Sequence, residues 1–219
     1  MNVRMTLFGV MALALAAASA SAQITGSAHD FTQYSWNTTG EICLPCHTPH
    51  GANWVAGRLW NHQLSDPATQ YNLYRSGTSG TTSTNVAFDS SSKLCLSCHD
   101  GTVALDSFGG RINGTNFIVP GDDEYIGTDM RDDHPVGSTA IYPTDPASTS
   151  FRPQSASHQV PGPNGAILRL RSWTDPADNT VKYVVGCKTC HNPHRTPGAD
   201  HLLAFSNTSS QLCLACHIK

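Results

Sequence analysis

The sequence predicts a mostly coil chain with short helices at four recurring motifs and one small β-hairpin. Its core is expected to come from covalently held groups rather than from aliphatic side chains. Three observations carry that prediction. All eight cysteines fall in Cys-x-x-Cys-His motifs: Cys43-Leu44-Pro45-Cys46-His47, Cys95-Leu96-Ser97-Cys98-His99, Cys187-Lys188-Thr189-Cys190-His191 and Cys213-Leu214-Ala215-Cys216-His217, hereafter motifs I to IV. The chain is rich in Ser, Thr, Gly, Asn and Pro, and its aliphatic runs are short. The motifs recur in two pairs with shared flanks, which is an internal repeat.

The Cys-x-x-Cys-His spacing is the attachment signature of c-type haem. Two thiols add across the two vinyl groups of one porphyrin, and the adjacent His lies under the iron. Structural zinc and disulfides are the competing explanations for eight cysteines. Neither accounts for a His after the second Cys every time. Four covalently attached haem c groups are therefore expected, bound through Cys43, Cys46, Cys95, Cys98, Cys187, Cys190, Cys213 and Cys216. His47, His99, His191 and His217 are the proximal iron ligands. The fold class is that of a multihaem cytochrome c with a core made of haem. A chain this polar buries little apolar surface by itself, and eight thioether links would pin it at close intervals.

Residues 1–22 read as a secretory signal peptide. Arg4 supplies the positive n-region, residues 7–18 are apolar but short for a bilayer span, and Ala20-Ser21-Ala22 offers a small-residue cleavage site before Gln23. Export, to the periplasm or beyond the outer cell surface, is the expected destination. No later stretch is long and apolar enough for a transmembrane segment. The chain carries 13 Lys and Arg against 16 Asp and Glu. Loss of Arg4 and the addition of haem propionates make it more acidic still, which argues against nucleic acid as a partner.

The motif pairs define the organisation. Motifs I and III both continue as Cys-His-x-Pro-His, in Cys46-His47-Thr48-Pro49-His50 and Cys190-His191-Asn192-Pro193-His194. Motifs II and IV both follow a polar run and Leu-Cys-Leu, in Ser91-Ser92-Lys93-Leu94-Cys95-Leu96 and Ser209-Ser210-Gln211-Leu212-Cys213-Leu214. Residues 23–105 form a first two-haem module and residues 181–219 a second. Residues 106–180 form a Gly-, Pro- and Asp-rich connection. Motifs II and IV are expected on short helices, capped by Ser90 or Ser91 and by Asn207 or Thr208. Residues 115–119 suggest a short strand. Residues 167–173 and 180–185 alternate on either side of an Asp-Pro turn and read as the hairpin. Asp122, Asp123, Glu124, Asp129, Asp132 and Asp133 make an acidic group in the connection. Calcium is a cofactor to consider there, but the spacing matches no EF-hand loop, and a solvated acidic loop accounts for it.

Each iron needs a second axial ligand or stays open. Met and His are the usual candidates. Only Met130 lies outside the leader, so at most one haem can be His/Met. Seven histidines lie outside the motifs: His29, His50, His62, His134, His158, His194 and His201. Ligation by two histidines throughout is favoured. His50 cannot loop to the far face of the haem at His47, three residues away, but it can reach a neighbour. It is assigned to the haem of motif II, and by the same logic His194 to the haem of motif IV. His134, held extended by Pro135, and His29 supply the other two, with His62 in reserve beside Trp60. Trp36, Trp54, Trp60, Tyr71 and Tyr74 gather around the first module, where they pack on porphyrin edges or relay electrons.

The segments Gly26-Ser27-Ala28-His29-Asp30, residues 42–51, residues 94–103 and His134-Pro135-Val136 resemble the paired Cys-x-x-Cys-His multihaem cytochromes of metal-reducing bacteria. With four motifs behind a leader, the chain is most similar to their filament-forming outer-surface members. That resemblance implies a homopolymer with head-to-tail contacts and a continuous haem row. It also implies exchange with other redox proteins or extracellular electron acceptors, and makes His29 the candidate ligand to an adjacent subunit. A heterologous contact that fails to close generates a filament.

Three functions compete. An electron conduit needs only close, fully ligated haems. A soluble periplasmic shuttle shares that chemistry. A multihaem reductase needs an open iron, yet all four motifs end in His and spare histidines exceed the vacancies. No cysteine is left over as a nucleophile, so no catalytic residues are assigned. The ligand reading predicts that His194→Ala turns one haem high-spin; an unchanged low-spin spectrum would contradict it.

Overall fold

The computed structural model describes residues 24–57, 59–74, 81–162, 165, 167–194 and 200–219; the leader and its cleavage site lie outside them. Among these, regular structure is sparse and short. Strands β1 (Tyr71–Leu73), β2 (Thr81–Ser83) and β3 (Asp129–Met130) form one sheet, with β1 central, antiparallel to β2 and parallel to β3. Strands β4 (Gln159–Pro161) and β5 (Ile167–Arg169) make a second ladder, and β6 (Arg171–Thr174) and β7 (Val181–Val184) a third, both antiparallel. The helices are α1 (Ser90–His99), α2 (Cys187–Cys190) and α3 (Gln211–Leu214).

The expected hairpin exists in shorter form. Arg171 pairs with Val184 and Thr174 with Val181. Lys182 closes the turn by pairing with Asp175 and, at 3.5 Å, with Asp178. The segment predicted as one strand over residues 167–173 is broken at Leu170, whose N–H goes to His158 O at 3.1 Å. Its first half pairs with β4 instead of β7. Residues 115–119 form no strand. The N–H groups of Thr115 and Asn116 are taken by the buried Asp106 carboxylate at 2.9 and 3.0 Å, and Arg111 pairs with the same group at 2.9 Å. A side chain has replaced the partner strand as acceptor.

Two aliphatic and aromatic clusters stand behind the second and fourth motifs. Tyr71, Leu73, Ala87, Phe88, Met130 and Leu96 of α1 form the first. Met130 is thus packed in a core and not presented beside a motif histidine. Tyr142, Val160, Leu168, Leu170 and Ala215 form the second, with Leu212 of α3 against it. Neither cluster is large, as the polar composition requires.

Helix α1 starts at Asp89 rather than at the expected serines. Asp89 Oδ1 accepts from the N–H groups of Ser91 and Ser92 at 2.9 and 3.3 Å, because a carboxylate is the stronger acceptor for the orphan first-turn amides. The N-cap position of α3 is Ser210, which makes no side-chain cap bond, rather than the expected Asn207 or Thr208; Asn207, three residues earlier, still accepts from Leu212 N through Oδ1 at 3.1 Å. At the other end of α1, buried Asp100 gathers four donors. Ser65 Oγ and Tyr71 Oη reach Oδ2 at 2.7 and 2.6 Å, and Thr102 N and Oγ1 reach Oδ1 at 2.8 Å each. Asp100→Ala strands those donors and should cost about 3 kcal/mol in denaturant unfolding of the mature protein.

Candidate haem-binding sites

Each motif is a single helical turn. The N–H of His47 returns to Cys43 O at 2.8 Å, that of His191 to Cys187 O at 3.0 Å and that of His217 to Cys213 O at 2.9 Å. His99 is the last residue of α1. Residues at i, i+3 and i+4 of such a turn share one side. Both thiols and the imidazole therefore face the same way.

The internal repeat is structural as well as sequential. Thr48 N bonds Leu59 O at 2.9 Å, and Asn192 N bonds Leu202 O at 2.8 Å. Asn61 N bonds Cys46 O, and Ala204 N bonds Cys190 O. His47 bridges Trp60 as His191 bridges Leu203. Even the backbone reversals coincide, with Leu59 at φ +55° and Leu202 at φ +54°.

Histidine rings meet in pairs. His29 faces His99 with ring centroids 6.1 Å apart, His47 faces His194 at 6.0 Å, and His134 faces His217 at 6.4 Å. Two imidazoles bound at about 2.0 Å on opposite sides of one metal hold their centroids roughly 6 Å apart. Ring nitrogens are set up accordingly. Nδ1 of His99 lies 2.8 Å from Glu124 O, that of His191 2.8 Å from His201 O, and that of His134 2.9 Å from Pro135 O. An Nδ1–H that donates to a carbonyl leaves Nε2 as the ligand atom. Burial, and then the neighbouring His99, His194 and His191, lower the His29 imidazole to about 4, so the ring is neutral at neutral pH, as a ligand must be.

The pairings differ from those expected. His194 was assigned to motif IV, but its ring faces His47 of motif I, and His134 faces His217. His50 is expected at motif II, but the ring that faces His99 is that of His29; His50 itself is exposed. Within the chain, the ring of His29, the candidate ligand to an adjacent subunit, lies against His99. Residue spacing fixed reach but not direction, and the direction crosses between the modules. His62 is buried, with Nδ1 2.7 Å from Gln63 O and Nε2 3.0 Å from Ala104 O. Burial lowers its pKa, and the neutral ring donates to one of these carbonyls. The ring of His158 stacks on Tyr183, and its Nδ1 lies 2.9 Å from Gln154 Oε1.

The attachment points lie in a row. The thiols of Cys95 and Cys187 are near enough to perturb each other's ionisation. Cys46 lies near enough to raise the Cys98 thiol further, after burial, and Cys216 does the same for Cys190. Motifs I, II, III and IV therefore neighbour one another in chain order. None of the eight cysteines is in a disulfide. Among the described residues no three or more His, Cys, Asp or Glu side chains gather as a metal site. The acidic connection spends its carboxylates locally: Asp122 accepts from Val119 N at 2.8 Å, and Asp129 pairs with Arg131.

These residues fit haem. Trp60 is buried edge-on to His47, and its indole Nε1 has no hydrogen-bond partner among the described residues. A propionate beside His47 is the kind of acceptor that donor needs. Sequence reasoning read Trp60 as packing and missed its orphaned N–H; only burial reveals it.

Residues 182–219 match the family described as the doubled CXXCH motif. That match supports a multihaem c-type cytochrome family, with covalently bound haem c and haem-based electron transfer. No curated protein and no solved structure matches the chain. The observed pairings predict additive ligand loss: His134→Ala and His194→Ala each create one high-spin haem, and the double variant two. Were both to serve motif IV, the double variant would show only one.

Proposed function

We propose that this protein is an electron conduit holding four haem c groups in a row, each between two imidazoles. The observation that carries the reading is the facing of His99, His47 and His217 by second rings at 6.1, 6.0 and 6.4 Å. When bound, haem supplies one-electron chemistry at its iron. The chain's part is to hold, space and tune. Motif turns aim thiols and imidazole to one side, carbonyls fix the tautomers of His99, His134 and His191, and buried side chains exclude water. The repeat supports His50 as the partner of His191, because it stands to motif I as His194 stands to motif III. With every iron doubly ligated, the protein is a conduit and not an enzyme.

The protein is proposed to act outside the cytoplasm, passing electrons to other redox proteins or extracellular acceptors. Assembly into a head-to-tail filament rests on the resemblance of its motifs to filament-forming outer-surface cytochromes. Intact mass of the exported protein should show four haem adducts, and carbon monoxide or cyanide should leave its low-spin spectrum unchanged. Fewer adducts, or ready ligand binding, would overturn the conduit. Negative-stain microscopy of the secreted fraction should show filaments; monodisperse particles would favour the soluble shuttle.

A further inference from the structure

Helices α1 and α3 carry motifs II and IV, and equivalent positions of the repeat bond a first-turn amide of each. Asp89 lies six residues before Cys95, and Asn207 six before Cys213. Asp89 Oδ1 accepts from the N–H groups of Ser91 and Ser92, and Asn207 Oδ1 from that of Leu212. They differ in charge.

Asp89 is 2 % exposed. The hydroxyls of Ser91 and Ser92 donate to it at 2.5 Å each. Ser92 Oγ also accepts from the N–H of Cys187 at 3.0 Å, so the carboxylate is one hydroxyl away from motif III. Gly186 packs so closely that a Cβ there would run into Asp89 Oδ2, Arg171 Cγ and Ser92 Oγ. The thiols of Cys95 and Cys187 meet at the same place. Two cations are near. Lys93 is on α1 itself, half-buried and within reach of the Asp89 charge. Arg171 Nε stands 3.8 Å away, too far for a hydrogen bond, and is buried without a hydrogen-bond partner among the described residues.

We infer that Asp89 lowers the reduction potential at the junction of motifs II and III, an effect that motif IV lacks because Asn207 stands at the same position there. The inference rests on the haem reading above. Ferric haem carries one more positive charge than ferrous, so a fixed anion favours the oxidised state. At roughly 10 Å and an effective permittivity near 20, one charge shifts that equilibrium about tenfold, which for one electron is about 59 mV. Asp89 is a positioning and tuning residue; it touches no iron.

The test is a redox titration of the intact exported protein, resolved haem by haem by electron paramagnetic resonance. The variants are Asp89→Asn, Asn207→Asp and Arg171→Gln. The first two exchange the residues of the repeat and keep the capping oxygen. Asp89→Asn should raise at least one potential by about the tenfold equivalent and leave motif IV in place. Asn207→Asp should lower one that Asp89→Asn did not move, and Arg171→Gln should lower what Asp89→Asn raises. Potentials unmoved by Asp89→Asn, or moved equally at all four haems, overturn the inference. So does Arg171→Gln acting in the same direction as Asp89→Asn. If Asn207→Asp fails to mature, the other two decide. Four adducts with unmoved potentials sink this inference alone; a wild-type protein with fewer than four adducts sinks the haem reading and this with it.

Discussion

The facing of His47 by His194 constrains the whole arrangement. The histidine of motif I meets a ring that follows motif III, so the first half of the repeat draws on the second at that place. Everything between must fold so that residues 47 and 194 arrive at the same place. Helix α1 packs on α2 through the Ser92 hydroxyl and the Cys187 N–H. The hairpin β6–β7 is tied to the loop before α1 by Trp173 Nε1, which donates to Val86 O at 2.8 Å. The connection is thus a brace between motifs II and III, and not a spacer that separates modules.

Buried aspartates do the work that regular secondary structure does elsewhere. Asp89 opens α1, Asp100 closes it, and Asp106 gathers the N–H groups of Thr115 and Asn116. All three are 2 % exposed. A loop-rich chain has many amides without a ladder, and each buried one must find an acceptor. A carboxylate satisfies several at once. This explains how a chain with two small apolar clusters holds irregular segments in place, and why a strand expected over residues 115–119 is absent.

Much of this was legible in the sequence. The motifs, the repeat, the short helices and a hairpin all follow from local spacing, and local spacing is what a sequence displays directly. The eight histidines chosen by counting include both members of each of the three facing pairs. Their pairing was not legible. His50 and His194 announce that they serve another site, but which one depends on how two modules dock, and no residue near either histidine encodes that. The start of α1 is legible in the repeat itself: two residues before Ser91 and Ser209 it matches Asp89 with Asn207, and both are strong capping types. The break at Leu170 was hidden because alternation continues through it, and only the backbone of His158 shows where that N–H goes.

Ligation between remote segments is less costly than it looks. In sequence, 70 residues separate His29 from His99, 83 separate His134 from His217, and 147 separate His47 from His194. Loop-closure entropy grows only with the logarithm of length, so each doubling adds about 0.6 kcal/mol. The longest closure is therefore nearly as accessible as the shortest. What distinguishes the three is order. Once α1 and α2 are packed, the effective loop between motif I and His194 shrinks to the segments outside that junction. The junction at Asp89, Ser92 and Gly186 and the cross-module pair therefore shorten each other's closure. Cooperation of that kind lets a polar chain reach one arrangement from parts that are individually weak.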